Sequence, residues 1–340
     1  MSQIQFDFSK KFTKKVLKQF SEQLMLMQSG INFKVSSRGW CYLMEQAGYI
    51  NKSQFSKVDM AINRCRKEGY LPVDFVAEEA ARAFTGVIVP SDGTVEDTLK
   101  WMLNDVLDGA KYFKPDWWQG EEYYIQILVE KIDLKTLFTP VCDKFKIPIA
   151  NAKGWSSILQ RAEYARRFKE AEDNGLKCVL LYCGDHDPDG LRISDTIRKN
   201  LYDLQDISWR DGMEGYSPDN LIIERFGLNY DFIVENNYTW IDNLITGSGK
   251  DLADTGHKNN RLPYVKDYLN TIGERKCEAN AIVTTPDKAE ELIVNEIEKW
   301  LGLDALDRFQ RKTDQVEADY LEVLEETGLM GPINKILNRE

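Results

Sequence analysis

Residues 178–190 read Cys178-Val179-Leu180-Leu181-Tyr182-Cys183-Gly184-Asp185-His186-Asp187-Pro188-Asp189-Gly190. Six apolar residues in a row are what a parallel strand buried on both faces requires. The loop behind them carries three acids, a proline and a glycine. Working outward, Tyr123–Val129 is a second apolar run, and it ends on Glu130. Between the two runs the pattern predicts a helix over Leu134–Phe145, a short strand at Ile147–Ala150 and a helix near 156–171. After the acidic loop it predicts a helix from Gly190 to about Leu201 and a further strand at Leu221–Arg225. Strands and helices alternating at this spacing predict βαβ units on a parallel sheet, hence an α/β fold. From about residue 260 the chain reads as mainly helical.

Both strand ends carry acids. In open parallel sheets ligands sit beyond the carboxyl ends of the strands, so Glu130 and Asp185, Asp187 and Asp189 are expected in one crevice. If the loop is extended, alternation turns its three carboxylates to one side. Such a set suits a hard oxygen-seeking cation, Mg²⁺ above all. Four acids crowded together without a cation would repel, and some would take up protons. The competing reading is a surface loop whose acids cap the next helix, with Asp189 as the N-cap. His186 lies inside the loop, and the only other histidine is His257. It is expected to be a neighbour of the site rather than a ligand.

The 340 residues suggest two domains. With 43% hydrophobic and 11% aromatic residues, the composition supports packed cores. No apolar run is long enough to span a bilayer, and the first residues lack the apolar core of a secretory signal. A soluble, intracellular, cytoplasmic protein is expected. The six cysteines are scattered, with no C-x-x-C pair, and read as reduced core thiols.

The net charge of −11 is unevenly spread. Residues 1–72 hold 12 Lys+Arg against 5 Asp+Glu, a balance of +7, and the remainder carries −18. A basic module on an acidic body fits DNA held at one end, and equally a solvated basic face. The module reads as helices at Lys10–Gln28, Arg38–Ala47 and Ser53–Glu68. Ser36-Ser37 is the N-cap of the second, and Arg64, Arg66 and Lys67 gather at the end of the third. This spacing resembles a helix-turn-helix or winged-helix layout. Residues 73–120 predict helices at Val76–Ala83 and Val95–Leu107 and an aromatic stretch with Trp117 and Trp118, expected as core. A domain boundary is expected near residue 120, giving 1–120 and 121–340. Thr246–Lys250 lacks the spacing of a phosphate loop.

Val129-Glu130-Lys131 followed by Gly184-Asp185-His186-Asp187-Pro188-Asp189-Gly190 resembles the Toprim domain, in the form found in the topoisomerase VI A subunit and the related meiotic double-strand-break endonuclease. Ile147-Pro148-Ile149 and Lys153-Gly154 also sit where that family has a short strand and a glycine turn. The third acid, Asp189, stands at a position often aromatic in topoisomerase VI. The resemblance is strong over about 120–205 and looser over His257–Ile282.

That resemblance implies an upstream tyrosine nucleophile four residues after an arginine, in a winged-helix domain. Ser37-Arg38-Gly39-Trp40-Cys41-Tyr42-Leu43 offers Arg38 and Tyr42 on one helix face, although Gly39, Trp40 and Cys41 depart from the family's usual residues. Tyr42 reads either as that nucleophile or as a core aromatic. The implied catalytic set is Tyr42, Arg38 and Lys131, with Mg²⁺ on Glu130, Asp185, Asp187 and Asp189. The implied reaction is cleavage of double-stranded DNA through a 5′-phosphotyrosyl link. Also implied are a homodimer in which one chain's tyrosine meets its partner's metal site, a separate ATP-hydrolysing subunit for strand passage, and a place at the nucleoid. A Toprim hydrolase using water, or a non-catalytic DNA-binding subunit, are the alternatives left open by the residues.

Overall fold

The computed structural model describes residues 12–31, 33–77, 86–152, 157–246, 249 and 251–338. The chain forms two compact units. One comprises residues 1–78 and 122–300, the other residues 79–121 and 301–340. Residues 79–121 group with residues 301–340, and the N-terminal helices group with residues 122–300.

In chain order the elements are α1 (Lys14–Gln28), α2 (Ser37–Gln46), α3 (Phe55–Lys67), α4 (Val95–Leu107), β1 (Tyr123–Val129), α5 (Ile132–Lys144), β2 (Ile149–Asn151), α6 (Ile158–Asp173), β3 (Lys177–Cys183), α7 (Ile193–Tyr202), β4 (Ile222–Arg225), α8 (Tyr230–Glu235), α9 (Pro263–Thr271), α10 (Pro286–Leu301), α11 (Ala305–Glu326) and α12 (Met330–Ile336). The expected helix over Val76–Ala83 falls mostly outside the described residues, as do Lys153-Gly154 and most of Thr246–Lys250. Among the described residues no helix is long and apolar enough to cross a membrane.

The strands form one sheet in the order β2-β1-β3-β4, parallel throughout, so the fold is α/β. The chain leaves β1 for β2 on one side and returns to β3 on the other. The edge between β1 and β3 is therefore the point where winding reverses. Ile125, Ile127, Leu128 and Val129 of β1 and Val179, Leu180, Leu181 and Cys183 of β3 are fully buried, as is the polar Gln126 of β1.

The N-terminal helices pack inside the same unit as the sheet. Each buries one stripe: Leu17, Phe20 and Leu24 of α1, Trp40, Cys41, Leu43 and Met44 of α2, Phe55, Val58, Ile62 and Cys65 of α3. Thr13 and Ser36 cap α1 and α2 through their side-chain oxygens. The arginines of α3 are engaged locally, Arg64 with Glu68 and the Phe12 carbonyl, Arg66 with the Val73 carbonyl. Exposed cations include Lys14, Lys15 and Lys18 of α1, Lys34, Arg38 of α2, and Lys57 and Lys67 of α3.

In the second unit, α4 starts on a Thr94–Asp97 capping box. Arg308 of α11 pairs with Glu121 at 2.6 Å, Lys312 donates to the Trp117 carbonyl, also at 2.6 Å, and Phe309 takes the edges of Trp117 and Trp118. The tryptophans are thus packing residues of this unit. All six cysteines are free and buried.

Candidate functional site

The register between β1 and β3 pairs Val129 with Cys183, and the Glu130 amide donates to the Cys183 carbonyl at 2.8 Å. Glu130 therefore stands directly beside the start of the acidic loop, at the winding reversal. The loop closes as a tight turn. A side chain at Gly190 would put its Cβ 2.2 Å from the Asp185 carbonyl oxygen, so glycine is required there. Arg225, at the end of β4, donates to the carbonyls of Gly184 and Asp185 at 2.8 Å and of Gly190 at 3.1 Å. Three loop carbonyls thus converge on one guanidinium.

His186 pins the loop from the other side. It exchanges backbone hydrogen bonds with Cys277, its Nδ1 lies 2.7 Å from the Leu228 carbonyl, and its ring sits between Trp240 and Tyr268. Burial pushes its imidazole down to about 4, so it is neutral at physiological pH and structural in position.

Glu130 and Asp185 share Lys131. The ammonium lies 2.7 Å from Glu130 Oε1 and 2.7 Å from Asp185 Oδ2. Glu130 Oε2 accepts from the Asp185 amide at 2.8 Å, and Asp185 Oδ1 accepts from the Ala279 amide at 2.7 Å. A further acid closes the cluster. Glu278 is buried and receives Lys52 at 2.8 Å, Lys276 at 3.1 Å and Lys131 at 3.6 Å.

The charges sort by environment. Burial works to raise Glu278, but the three ammonium groups outweigh it and hold the carboxyl down to about 2. Burial also works against ionised Glu130, yet Lys131 and the Asp185 amide hold it below the usual carboxylate range. Asp185 goes the other way, raised by burial and by Glu130, Glu278 and Asp187, which Lys131 offsets only in part. Asp187 is raised too, chiefly by burial. Lys131 stays charged, because its acids overcome its burial.

Tyr42 lies against this cluster in its own chain. The Lys131 ammonium is 5.5 Å from the centre of the Tyr42 ring, that of Lys52 6.0 Å, and the Arg38 guanidinium 5.6 Å. The ring is half-buried, edge-on to Phe55 at 5.1 Å. Arg38 and Tyr42 share a helix face, as their spacing predicts.

Comparison of the chain with protein-family models, with curated proteins and with solved structures gave no match.

Of the residues singled out in the sequence, Glu130, Lys131, Asp185, Arg38 and Tyr42 come together, with Asp187 at the loop's turn. Asp189 stands apart. Residues 187–189 turn instead of running extended, so alternation does not bring the three carboxylates to one side. Asp189 is exposed and accepts from the Tyr264 hydroxyl at 2.8 Å. It is the N-cap residue of the short 3-10 turn Gly190–Arg192, but its side chain makes no capping hydrogen bond there. Asp187 Oδ1 takes that part, accepting from the Gly190 amide at 2.6 Å.

Tyr42 lies beside the acid cluster of its own chain, because α2 packs in the same unit as the sheet. Glu278 was missed. Its only signal is the charged-apolar-charged Lys276-Cys277-Glu278, which runs extended and bridges to Ile241 and His186.

The donors here are all oxygen, which fits a hard divalent cation in kind. Among the described residues no three acid, histidine or cysteine side chains are arranged as a ready ligand set, and Lys131 bridges Glu130 and Asp185. A long flexible lysine is a cation that can withdraw.

Proposed function

We propose that this chain is a Mg²⁺-dependent DNA-cleaving enzyme of the Toprim kind, similar to a stand-alone topoisomerase VI A subunit, and that Tyr42 is its nucleophile. The observation that carries this reading is the meeting of Glu130 and Asp185 across the winding reversal, with the lysine they share 5.5 Å from the Tyr42 ring. Strongly perturbed acids at a strand-end crevice are the usual mark of a reacting site.

In the proposed reaction the Tyr42 oxygen attacks phosphorus. The P–O3′ bond breaks, the 3′ oxygen leaves as a hydroxyl after gaining a proton, and the 5′ phosphate stays on the tyrosine. The proton lost by the phenol balances the one gained by the leaving oxygen. No water is consumed and the step is reversible. Arg38 and Lys131 stabilise the negative charge that develops on the phenolic and phosphoryl oxygens. Lys131 is held protonated, so its role is electrostatic. Glu130, Asp185 and Asp187 are the oxygens that would hold Mg²⁺, which supplies neutralisation of phosphate charge. The exposed lysines of α1 and α3 support duplex DNA as the partner. A second copy of the chain, a separate ATP-hydrolysing subunit and a place at the nucleoid belong to the same reading.

Incubation of supercoiled plasmid with the protein and MgCl₂ tests it. Nicked or linear product that disappears with EDTA and with Asp185→Asn is expected. Plasmid left intact across a range of Mg²⁺ and protein concentrations would end the reading.

A further inference from the structure

Resting on the reading of Glu130 and Asp185 as cation ligands, we propose that Glu278 is a positioning residue, the carboxylate that receives the Lys131 ammonium when those two acids take a divalent cation. The two acids share one ammonium, 2.7 Å from each. Once their oxygens turn to a cation, that ammonium needs a new partner. Water is a poor one here. The Lys131 side chain is 17% exposed and that of Glu278 4%, and a buried charge left unpaired is costly. Glu278 Oε2 stands 3.6 Å from the ammonium. A shift of about 1 Å turns this contact into an ordinary charged hydrogen bond.

Glu278 is set for this part. Its other oxygen, Oε1, accepts from Lys52 at 2.8 Å and lies 3.1 Å from Lys276. Those two contacts fix the carboxylate with Oε2 turned to Lys131. Three ammonium groups around one carboxyl also keep it charged. Lys276 is itself held, donating to the Ile245 carbonyl at 2.6 Å.

The backbone ties this acceptor to the ligands. Cys277 exchanges hydrogen bonds with His186 at 2.8 and 3.1 Å, so the segment carrying Glu278 is fastened to the acidic loop. The next residue, Ala279, gives its amide to Asp185 Oδ1 at 2.7 Å. One peptide step separates the carboxylate that receives the lysine from the amide that orients the ligand. Asp185 therefore keeps its place while its lysine leaves.

A purely structural Glu278 would serve only to fasten Lys52, which lies between α2 and α3, to the sheet. The two roles predict different things. With Glu278 as receiver, Glu278→Gln strands Lys131 and weakens Mg²⁺ binding by roughly 10- to 100-fold, although no ligand is touched. The weakening needs the lysine, so it disappears in the Lys131→Met background. A carboxylate acting only through its field weakens binding equally in both backgrounds. Lys52→Met breaks the fastening but spares Glu278 and Lys131, and is expected not to weaken Mg²⁺ binding.

The deciding experiment is calorimetric titration of MgCl₂ into the full chain, its Glu278→Gln, Lys131→Met and Lys52→Met variants, and the Glu278→Gln Lys131→Met double variant. Weakening by Glu278→Gln that is lost in the Lys131→Met background is expected. Equal weakening in both backgrounds, none in either, or as much from Lys52→Met overturns the proposal and leaves the cation reading standing. No Mg²⁺ binding by the unmodified chain overturns both. A second measurement needs no change at Glu278. The ¹⁵N-labelled Lys131 ammonium resonance, assigned by its absence in Lys131→Met, is expected to shift and stay sharp as MgCl₂ is added. A resonance that does not move, or that is lost to exchange with water, overturns the proposal.

Discussion

The Lys131 ammonium sits 2.7 Å from Asp185 Oδ2 and fills the space between that acid and Glu130. The site is neutralised by its own side chain, and that chain is long enough to leave. Under the proposed function, entry of a divalent cation would be coupled to release of the lysine.

Lys131→Met removes the cation and leaves buried carboxylates unpaired, a change that destabilises by roughly 3–5 kcal/mol. A divalent ion that binds the folded state restores stability, by about 2.7 kcal/mol at a hundredfold excess over its Kd. The melting temperature of Lys131→Met is expected to rise with MgCl₂ more than that of the unmodified protein. Equal responses would show that lysine and metal do not compete.

Asp185→Asn gives the opposite balance. The carboxyl is raised by burial and by its acidic neighbours, so neutralising it relieves repulsion, and the amide can still accept from Ala279. Stability is expected to hold or rise while Mg²⁺-dependent cleavage vanishes. Thermal unfolding and plasmid cleavage on one preparation check both.

Glu278 sets an acid limit. Its carboxyl is held at about 2 against an ordinary 4.5. The folded state therefore binds fewer protons than the unfolded one between those values. The stability this supplies is complete above pH about 4.5 and is lost as pH falls toward 2, on the order of 3 kcal/mol in all. Asp185 and Asp187 are shifted upward and act in the reverse sense. The difference in urea stability between the unmodified protein and Glu278→Gln isolates the effect. It is expected to be large at pH 7 and to shrink by pH 3.

DNA binding should follow the exposed lysines of α1. Each phosphate contact contributes about 0.9 to the slope of log affinity against log salt. Replacing Lys14, Lys15 and Lys18 by Gln is expected to flatten that slope by up to about 3. An unchanged slope would move the DNA surface elsewhere.

The sheet was legible because β1 and β3 are mainly apolar runs, interrupted in β1 by Gln126, that end on acids, the pattern expected of a parallel strand covered on both faces. The cap of α2 was legible at Ser36 for a similar local reason. What could not be read depends on distant contacts. Glu278 arrives through an extended segment that pairs with the acidic loop, and Arg308 fastens the chain's end onto Glu121. Asp133 reads in sequence as an ordinary acid at a helix start, and only the fold brings it to the Ser36 amide. Asp189 departs from the alternation expected of an extended loop because residues 187–189 turn.

The central claim is that Tyr42 becomes linked to DNA. A duplex labelled at its 5′ and 3′ ends in separate preparations, incubated with the protein and Mg²⁺ and stopped with detergent, measures it directly. The account predicts a protein–DNA adduct joined to a 5′ end, with a free 3′ hydroxyl opposite. The adduct should be absent in Tyr42→Phe, whose folding and DNA affinity stay close to those of the unmodified chain. Mg²⁺-dependent cleavage with no adduct, undiminished in Tyr42→Phe, would contradict it and make water the nucleophile.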